Sequence, residues 1–186
     1  PPDSSQGESA DSLEGKTDAA KVREITFTEL VAVDNNDCKI TITGVEPFCD
    51  SFNNKKLKLN VLLENKSNKI YRFFSHRASI NGVWAVPDLI EDVLPGKKTN
   101  VESILFTPAE TSYNIDIGDY TDIELTFECY EKERGRGAAC EETVHIYPYG
   151  EDNAVKYVRE PQLSDNVILD NEYVTVIVTG YEKPEI

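Results

Sequence analysis

From Cys38 onward the chain alternates apolar and polar positions with period two. Cys38, Ile40 and Ile42 take one parity and Lys39, Thr41 and Thr43 the other, which predicts a half-buried strand. "LKLNVLLEN" places Leu57, Leu59, Val61 and Leu63 on one face. "IELTFECY" sets Ile123, Leu125, Phe127 and Cys129 against Glu124, Thr126 and Glu128, and "ETVHIYP" turns Val144 and Ile146 inward. Turn residues punctuate these runs: "DNND" at residues 34–37, "NKSN", Asn81-Gly82 between "IYRFFSHRASI" and "VWAV", and Pro95-Gly96. Asn-Gly between apolar runs signals a hairpin because both residues tolerate positive φ. "TPAETSYNIDIGDYTD" reads as a polar connection with at most one helical turn, and no amphipathic helix of ten residues or more is visible. Short strands with frequent turns predict an all-β fold, an antiparallel two-layer β-sandwich built by residues 25–149. The expected core is Ile40, Ile42, Leu59, Val61, Phe74, Ile80, Ile104, Phe106, Leu125, Phe127, Val144 and Ile146.

The alternation restarts near the end of the chain. "VREITFTELVAVDNNDCKITITGVE" (22–46) and "VREPQLSDNVILDNEYVTVIVTGYE" (158–182) align without a gap at an offset of 136, with 9 of 25 positions identical. A repeat this long is a whole domain rather than a solenoid unit. The expected organisation is therefore a β-sandwich domain at 22–157 followed by the first two strands of a second, truncated repeat at 158–186. The bland alternative is two generic hairpins that look alike. Residues 167–179 are expected to form a hairpin matching 31–43, and its apolar residues need a cover. The first domain's sheet is the expected cover; a neighbouring molecule, giving self-association through 158–186, is the next. The opening stretch "PPDSSQGESADSLEGKTDAAK" has one large apolar residue, Leu13, and reads as a flexible acidic, Ser-rich tether over 1–21.

The formal net charge of -15 argues against nucleic-acid partners and anionic membrane surfaces, both of which select basic patches. No stretch approaches the ~18 apolar residues of a membrane span, so no direct membrane insertion is expected of this fragment. The chain starts at Pro1 and contains no Met, which reads as a piece whose start has been removed.

Chemistry-bearing candidates are few. The motifs GxSxG and HExxH, the P-loop and the dinucleotide fingerprint are all missing from the sequence, so no catalytic, cofactor or metal residue is assigned. His145 falls on the Thr143/Tyr147 side of its strand and is expected to be solvated; His76 is expected to be a satisfied structural histidine. Trp84, Tyr147 and Tyr149 are a candidate aromatic binding face for sugar or protein, against ordinary sheet packing. Pairing Ile123 with Ile146 and Leu125 with Val144 makes the residue numbers sum to 269, and the same register sets Cys129 opposite Cys140. A Cys129–Cys140 disulfide follows as a candidate, with Cys38–Cys49 a weaker one, a Cys38–Cys129 link the rival, and buried free thiols the alternative to all three.

The run "VLLENKSNKIYRFFSHRASINGVWAVPDLIEDVLPGKKTNVESILF" with "TDIELTFECYE" resembles an immunoglobulin-like β-sandwich domain of Firmicutes surface proteins and lipoproteins, generally of unknown function. The resemblance rests on the "ENKS" turn, the strand ending in "NG", the "GKK" turn and the strands after it, over roughly residues 30–147. It implies an extracellular protein anchored to the cell surface by a segment upstream of Pro1, and it carries over no catalytic residue. The expected role is a non-catalytic module that binds an extracellular protein or glycan, or spaces one out, within a tandem-repeat surface protein. The alternative is a carbohydrate-active enzyme or glycan-binding domain using an acidic or aromatic face, which would need two carboxylates across a cleft.

Overall fold

The computed structural model describes residues 23–49, 55–113, 115–135 and 137–180. Its elements are β1 (Leu30–Asp34), β2 (Cys38–Cys49), β3 (Lys55–Asn65), β4 (Tyr71–Ile80), β5 (Val83–Pro87), β6 (Ile90–Val93), β7 (Lys98–Phe106), the short helix α1 (Pro108–Tyr113), β8 (Ile123–Glu131), β9 (Ala138–Ile146), β10 (Asn166–Asp170) and β11 (Thr175–Val178). One layer runs β1-β2-β3-β7. The other centres on β4, which pairs with β8 along one edge and along the other with β5 at 78–80 and β6 at 71–74, while β9 completes the layer beyond β8. Every pairing is antiparallel, and β5 joins the layers at one side through Val86–Phe106 and Pro87–Leu105. This is the expected all-β, antiparallel sandwich.

The core follows from strand parity. Cys38, Ile40 and Ile42 from β2, Leu57, Leu59, Val61 and Leu63 from β3, and Ile123, Leu125, Phe127 and Cys129 from β8 are all buried in one cluster. Val144, on edge strand β9, is only half-buried. Phe74 corrects the expected list. In β4 the inward residues are Tyr71, Phe73 and Ser75, then a bulge between Ser75 and Arg77 leaves His76 and Arg77 both outward before Ala78 and Ile80 turn in again. Counting back by twos from Ile80 therefore selects Phe74, whereas Phe73 is the residue with no exposed surface. A bulge inserts one residue and flips the parity beyond it. The side chains of Ile104 and Phe106 lie outside the described residues; between them Leu105 is fully buried.

Two buried asparagines hold loops against the sheets. Asn81 and Gly82 make the expected hairpin turn with φ of 53° and 81°. The Asn81 side chain also donates to the carbonyls of Ile117 and Asp119 and accepts from the Thr121 amide, the Thr121 hydroxyl and the Asp122 amide. Asn65, in the "ENKS" turn, donates to the carbonyls of Lys69 and Val93 and accepts from the Ser67 amide and hydroxyl. Each satisfies loop carbonyls and amides that no strand ladder reaches.

The sandwich closes at about residue 157. Thr26 and Phe27 donate their amides to the Pro148 carbonyl, and Tyr157 donates to the Asn81 carbonyl. Ile25, Phe27 and Tyr157 pack half-buried against the core. From Glu160 to Gly180 every residue is exposed except the half-buried Asp165 and Ile177. β10 and β11 form a separate two-stranded sheet. The first domain's sheet does not cover this hairpin, contrary to expectation: Val167, Ile168, Leu169, Val174, Val176 and Val178 are all exposed.

Candidate functional site

Three features could carry function: the outer face of the β4-centred layer, the cysteines, and the β10–β11 hairpin. On the outer face, Trp84, Ser79, Glu124 and His145 are successive cross-strand partners in one row across β5, β4, β8 and β9. Trp84 is 63% exposed. The His145 ring lies between acidic neighbours, with Nδ1 2.7 Å from Asp122 Oδ1 and Nε2 3.7 Å from Glu124 Oε2, and it stacks on Tyr147 with ring centroids 5.8 Å apart. His145 is thus at the surface, as expected, but tethered. His76 is on the outer face as well: the β4 bulge turns it outward, where Nδ1 lies 3.5 Å from Glu128 Oε2 and the ring meets Phe74.

The three candidate aromatics do not form one platform. Trp84 and Tyr147 sit at opposite sides of this layer, with β4 and β8 between their strands. Tyr149 lies beyond the end of β9, under the Arg23 guanidinium at 5.5 Å. A hollow of about 390 Å³ over the other layer is lined by Thr43, Asn60, Val61, Asn100, Val101 and Glu102. It offers one carboxylate, where glycoside hydrolysis needs two.

Charge on the outer face is organised around Asp92. Arg72 donates to both its oxygens, at 2.7 and 2.9 Å, and Lys132 to one of them at 2.5 Å. The Arg72 hydrogen bonds first, then Lys132, hold the Asp92 carboxyl far below its ordinary 3.8. A depressed folded value means the stabilisation is complete above the ordinary carboxylate range and is lost as pH falls below it. Asp92→Asn is expected to cost about 1 kcal/mol or less near neutrality, given the partial exposure. Melting curves of both proteins should show the gap closing as pH is lowered below about 4.

The cysteines converge from three strands. Cys129 lies opposite Cys140 in the β8–β9 ladder, the register read from the sequence. The Cys129–Cys140 bond itself is not formed: their sulfurs are 3.0 Å apart, against ~2.05 Å for a disulfide, and both are free thiols. A third sulfur joins them. Cys38 reaches across from β2 to within 3.3 Å of the Cys129 sulfur, and all three sulfurs lie within 4.8 Å of one another. The Cys38–Cys49 candidate is corrected outright. Those residues are the two ends of the 12-residue strand β2, about 35 Å apart at the strand rise. Pairing registers alone could not place Cys38 at this site, because β2 meets β8 only through the stacking of the two layers.

The hairpin repeats the first hairpin in detail. In β1–β2 the partners are Leu30–Ile42, Val31–Thr41, Val33–Ile40 and Asp34–Lys39, with a register shift between Val31 and Val33. In β10–β11 they are Asn166–Val178, Val167–Ile177, Leu169–Val176 and Asp170–Thr175, with the shift between Val167 and Leu169. Adding 136 to every number of the first set gives the second. The turns agree too. Asn35 Oδ1 accepts from the amides of Asp37 and Cys38, and Asn171 Oδ1 from those of Tyr173 and Val174. Leading into β10, Arg159 grips Asp165 with two hydrogen bonds of 2.6 and 2.7 Å.

These features define an antiparallel β-sandwich module with a detached second hairpin. Compared with protein-family models, curated proteins and solved structures, the chain matches none of them.

Proposed function

We propose that this chain is a non-catalytic, immunoglobulin-like module of a tandem-repeat extracellular surface protein, in which residues 158–186 open a second copy of the sandwich. The observation that carries the reading is the β10–β11 hairpin, which reproduces the pairing, the bulge and the Asn-capped turn of β1–β2 at a constant offset. A hairpin of this length is marginal in water by itself, and an exposed apolar edge invites pairing. In the first copy the same hairpin is completed by β3, with Ile40 against Leu63 and Ile42 against Val61. The equivalent positions Val176 and Val178 would seat on an equivalent strand. The module's role in such an array is spacing or multivalent binding, where repetition raises avidity without new contacts.

A transplant tests this reading. Replacing residues 30–42 by the sequence of 166–178 is expected to give a folded sandwich with a cooperative thermal melt. The same transplant moved by one residue, 167–179, is expected to fail, because a one-residue slip turns every core side chain outward. If both grafts fold, or neither does, the equivalence of the two hairpins is wrong.

A second reading is favoured by the exposed Trp84 in one row with Glu124 and His145: a glycan-binding face on the outer side of the β4-centred layer. Glycan-array binding of the full chain that is lost in Trp84→Ala would support it. Array signals equal for both proteins, or no signal, would count against it.

A further inference from the structure

We propose that Cys38, Cys129 and Cys140 form a disulfide-exchange centre, in which Cys129 is the shared partner, bonded to Cys38 or to Cys140 but never to both. The Cys129 sulfur sits 3.3 Å from one neighbour and 3.0 Å from the other, so either bond needs only small side-chain rotations. The two bonds differ in what they join. Cys129–Cys140 links adjacent strands of one layer, whereas Cys38–Cys129 staples the two layers through the core.

The chemistry favours a disulfide over a metal ion here. Among the described residues the cluster stops at three ligating atoms, all buried. Three thiolates around a divalent cation would bury a net negative charge, which is costly without further partners. A disulfide beside a neutral thiol buries none.

Oxidation uses a small-molecule disulfide such as oxidised glutathione. Cys140, on edge strand β9, is the least buried of the three and the one nearest the surface for an oxidant to reach once the edge opens. Its thiolate attacks the oxidant, forms a mixed disulfide and releases one thiolate. Cys129 then attacks the Cys140 sulfur, forming Cys129–Cys140 and releasing the second; the two protons lost by the cysteines end on two small-molecule thiols. The later exchange consumes no oxidant. The Cys38 thiolate attacks the Cys129 sulfur, and the Cys140 thiolate leaves and takes up the proton that Cys38 gave up. Attack runs along the S–S axis, and with all three sulfurs within 4.8 Å of one another they are not in line, so the Cys140 sulfur has to swing away from Cys38 before the exchange.

Chain length supplies an internal control. Cys38 and Cys129 are 91 residues apart and Cys129 and Cys140 are 11. In the unfolded chain, loop closure therefore favours Cys129–Cys140 over Cys38–Cys129 by about 20-fold, and gives Cys38–Cys140 as readily as Cys38–Cys129. The folded state removes that bias, because the Cys129 sulfur lies within 3.3 Å of both neighbours.

The experiment oxidises the full chain carrying Cys49→Ser with oxidised glutathione, once folded and once in denaturant, and maps the links by acid quench, alkylation and peptide mass spectrometry. The folded protein is expected to hold one disulfide and one free thiol, with both Cys129 links present and Cys38–Cys140 absent. Protein oxidised in denaturant, refolded and freed of small thiols is expected to gain Cys38–Cys129 at the expense of Cys129–Cys140. Cys38→Ser and Cys140→Ser should each form the one link left to Cys129. A frozen ratio after refolding, a Cys38–Cys140 link in folded protein, no disulfide in either single variant, or one tightly held metal ion per reduced chain would each overturn the proposal.

Discussion

Replacing Asn81 by Ala is expected to destabilise the sandwich by about 3–5 kcal/mol, one of the largest effects available to a single polar substitution. The side chain is buried and makes five hydrogen bonds, donating to two carbonyls and accepting from two amides and a hydroxyl. Alanine would leave most of those groups enclosed without partners, each costing about 1–3 kcal/mol before relaxation. It would also hold φ at 53°, a left-handed conformation that asparagine tolerates better than alanine. Asn81→Asp keeps the acceptor atoms but sets a buried carboxylate oxygen against the Ile117 and Asp119 carbonyls, so near neutrality it should cost at least as much as Asn81→Ala. Urea unfolding of the three proteins checks the order. A cost for Asn81→Ala under about 1 kcal/mol would mean that the residues 117–122 are not held as described.

The second large effect separates two neighbours of the same chemistry. Phe73→Ala is expected to cost about 3–5 kcal/mol, the usual range for a buried phenylalanine. Phe74→Ala is expected to cost about 1 kcal/mol, because it gives up mainly an edge-to-face contact with Tyr130 on the outer face, worth about that much. Phe73 contributes a fully buried ring next to Cys129 in the ladder. Equal costs in the same unfolding experiment, or a reversed order, would show that the β4 bulge is misplaced.

That pair also shows where the sequence stops being readable. Period-two alternation was sufficient from Cys38 to Ile42 in β2, from Leu57 to Leu63 in β3 and from Ile123 to Cys129 in β8, where the residues of the inward parity are buried; beyond Ile42 a register shift in β2 turns Val45 inward instead. It was sufficient for the Cys129–Cys140 register, since β8 and β9 pair without a shift from Ile123 to Cys129. It failed in β4, where "FFSHRAS" carries nothing that marks His76 as an extra residue. The hub roles of Asn65 and Asn81 were legible only as turns, because their partners lie up to 41 positions away. The meeting of Cys38 with Cys129 was open only as a rival pairing for a similar reason: contact between layers leaves no periodic trace. The second hairpin was legible because its evidence is internal, a stretch compared with another stretch of the same chain.

The central claim is that residues 23–157 complete one sandwich and that the β10–β11 hairpin belongs to another unit. Deleting residues 160–186 tests it most directly. The shortened chain keeps Tyr157, whose amide donates to the Asn81 carbonyl. Among the described residues it removes a segment whose apolar side chains are exposed apart from the half-buried Ile177. A cooperative thermal melt with a midpoint within about 2 °C of the full chain, corresponding to about 1 kcal/mol or less, is the result this account predicts. Loss of the cooperative transition, or a fall of 10 °C or so, would place the hairpin in the first sandwich's core and contradict it.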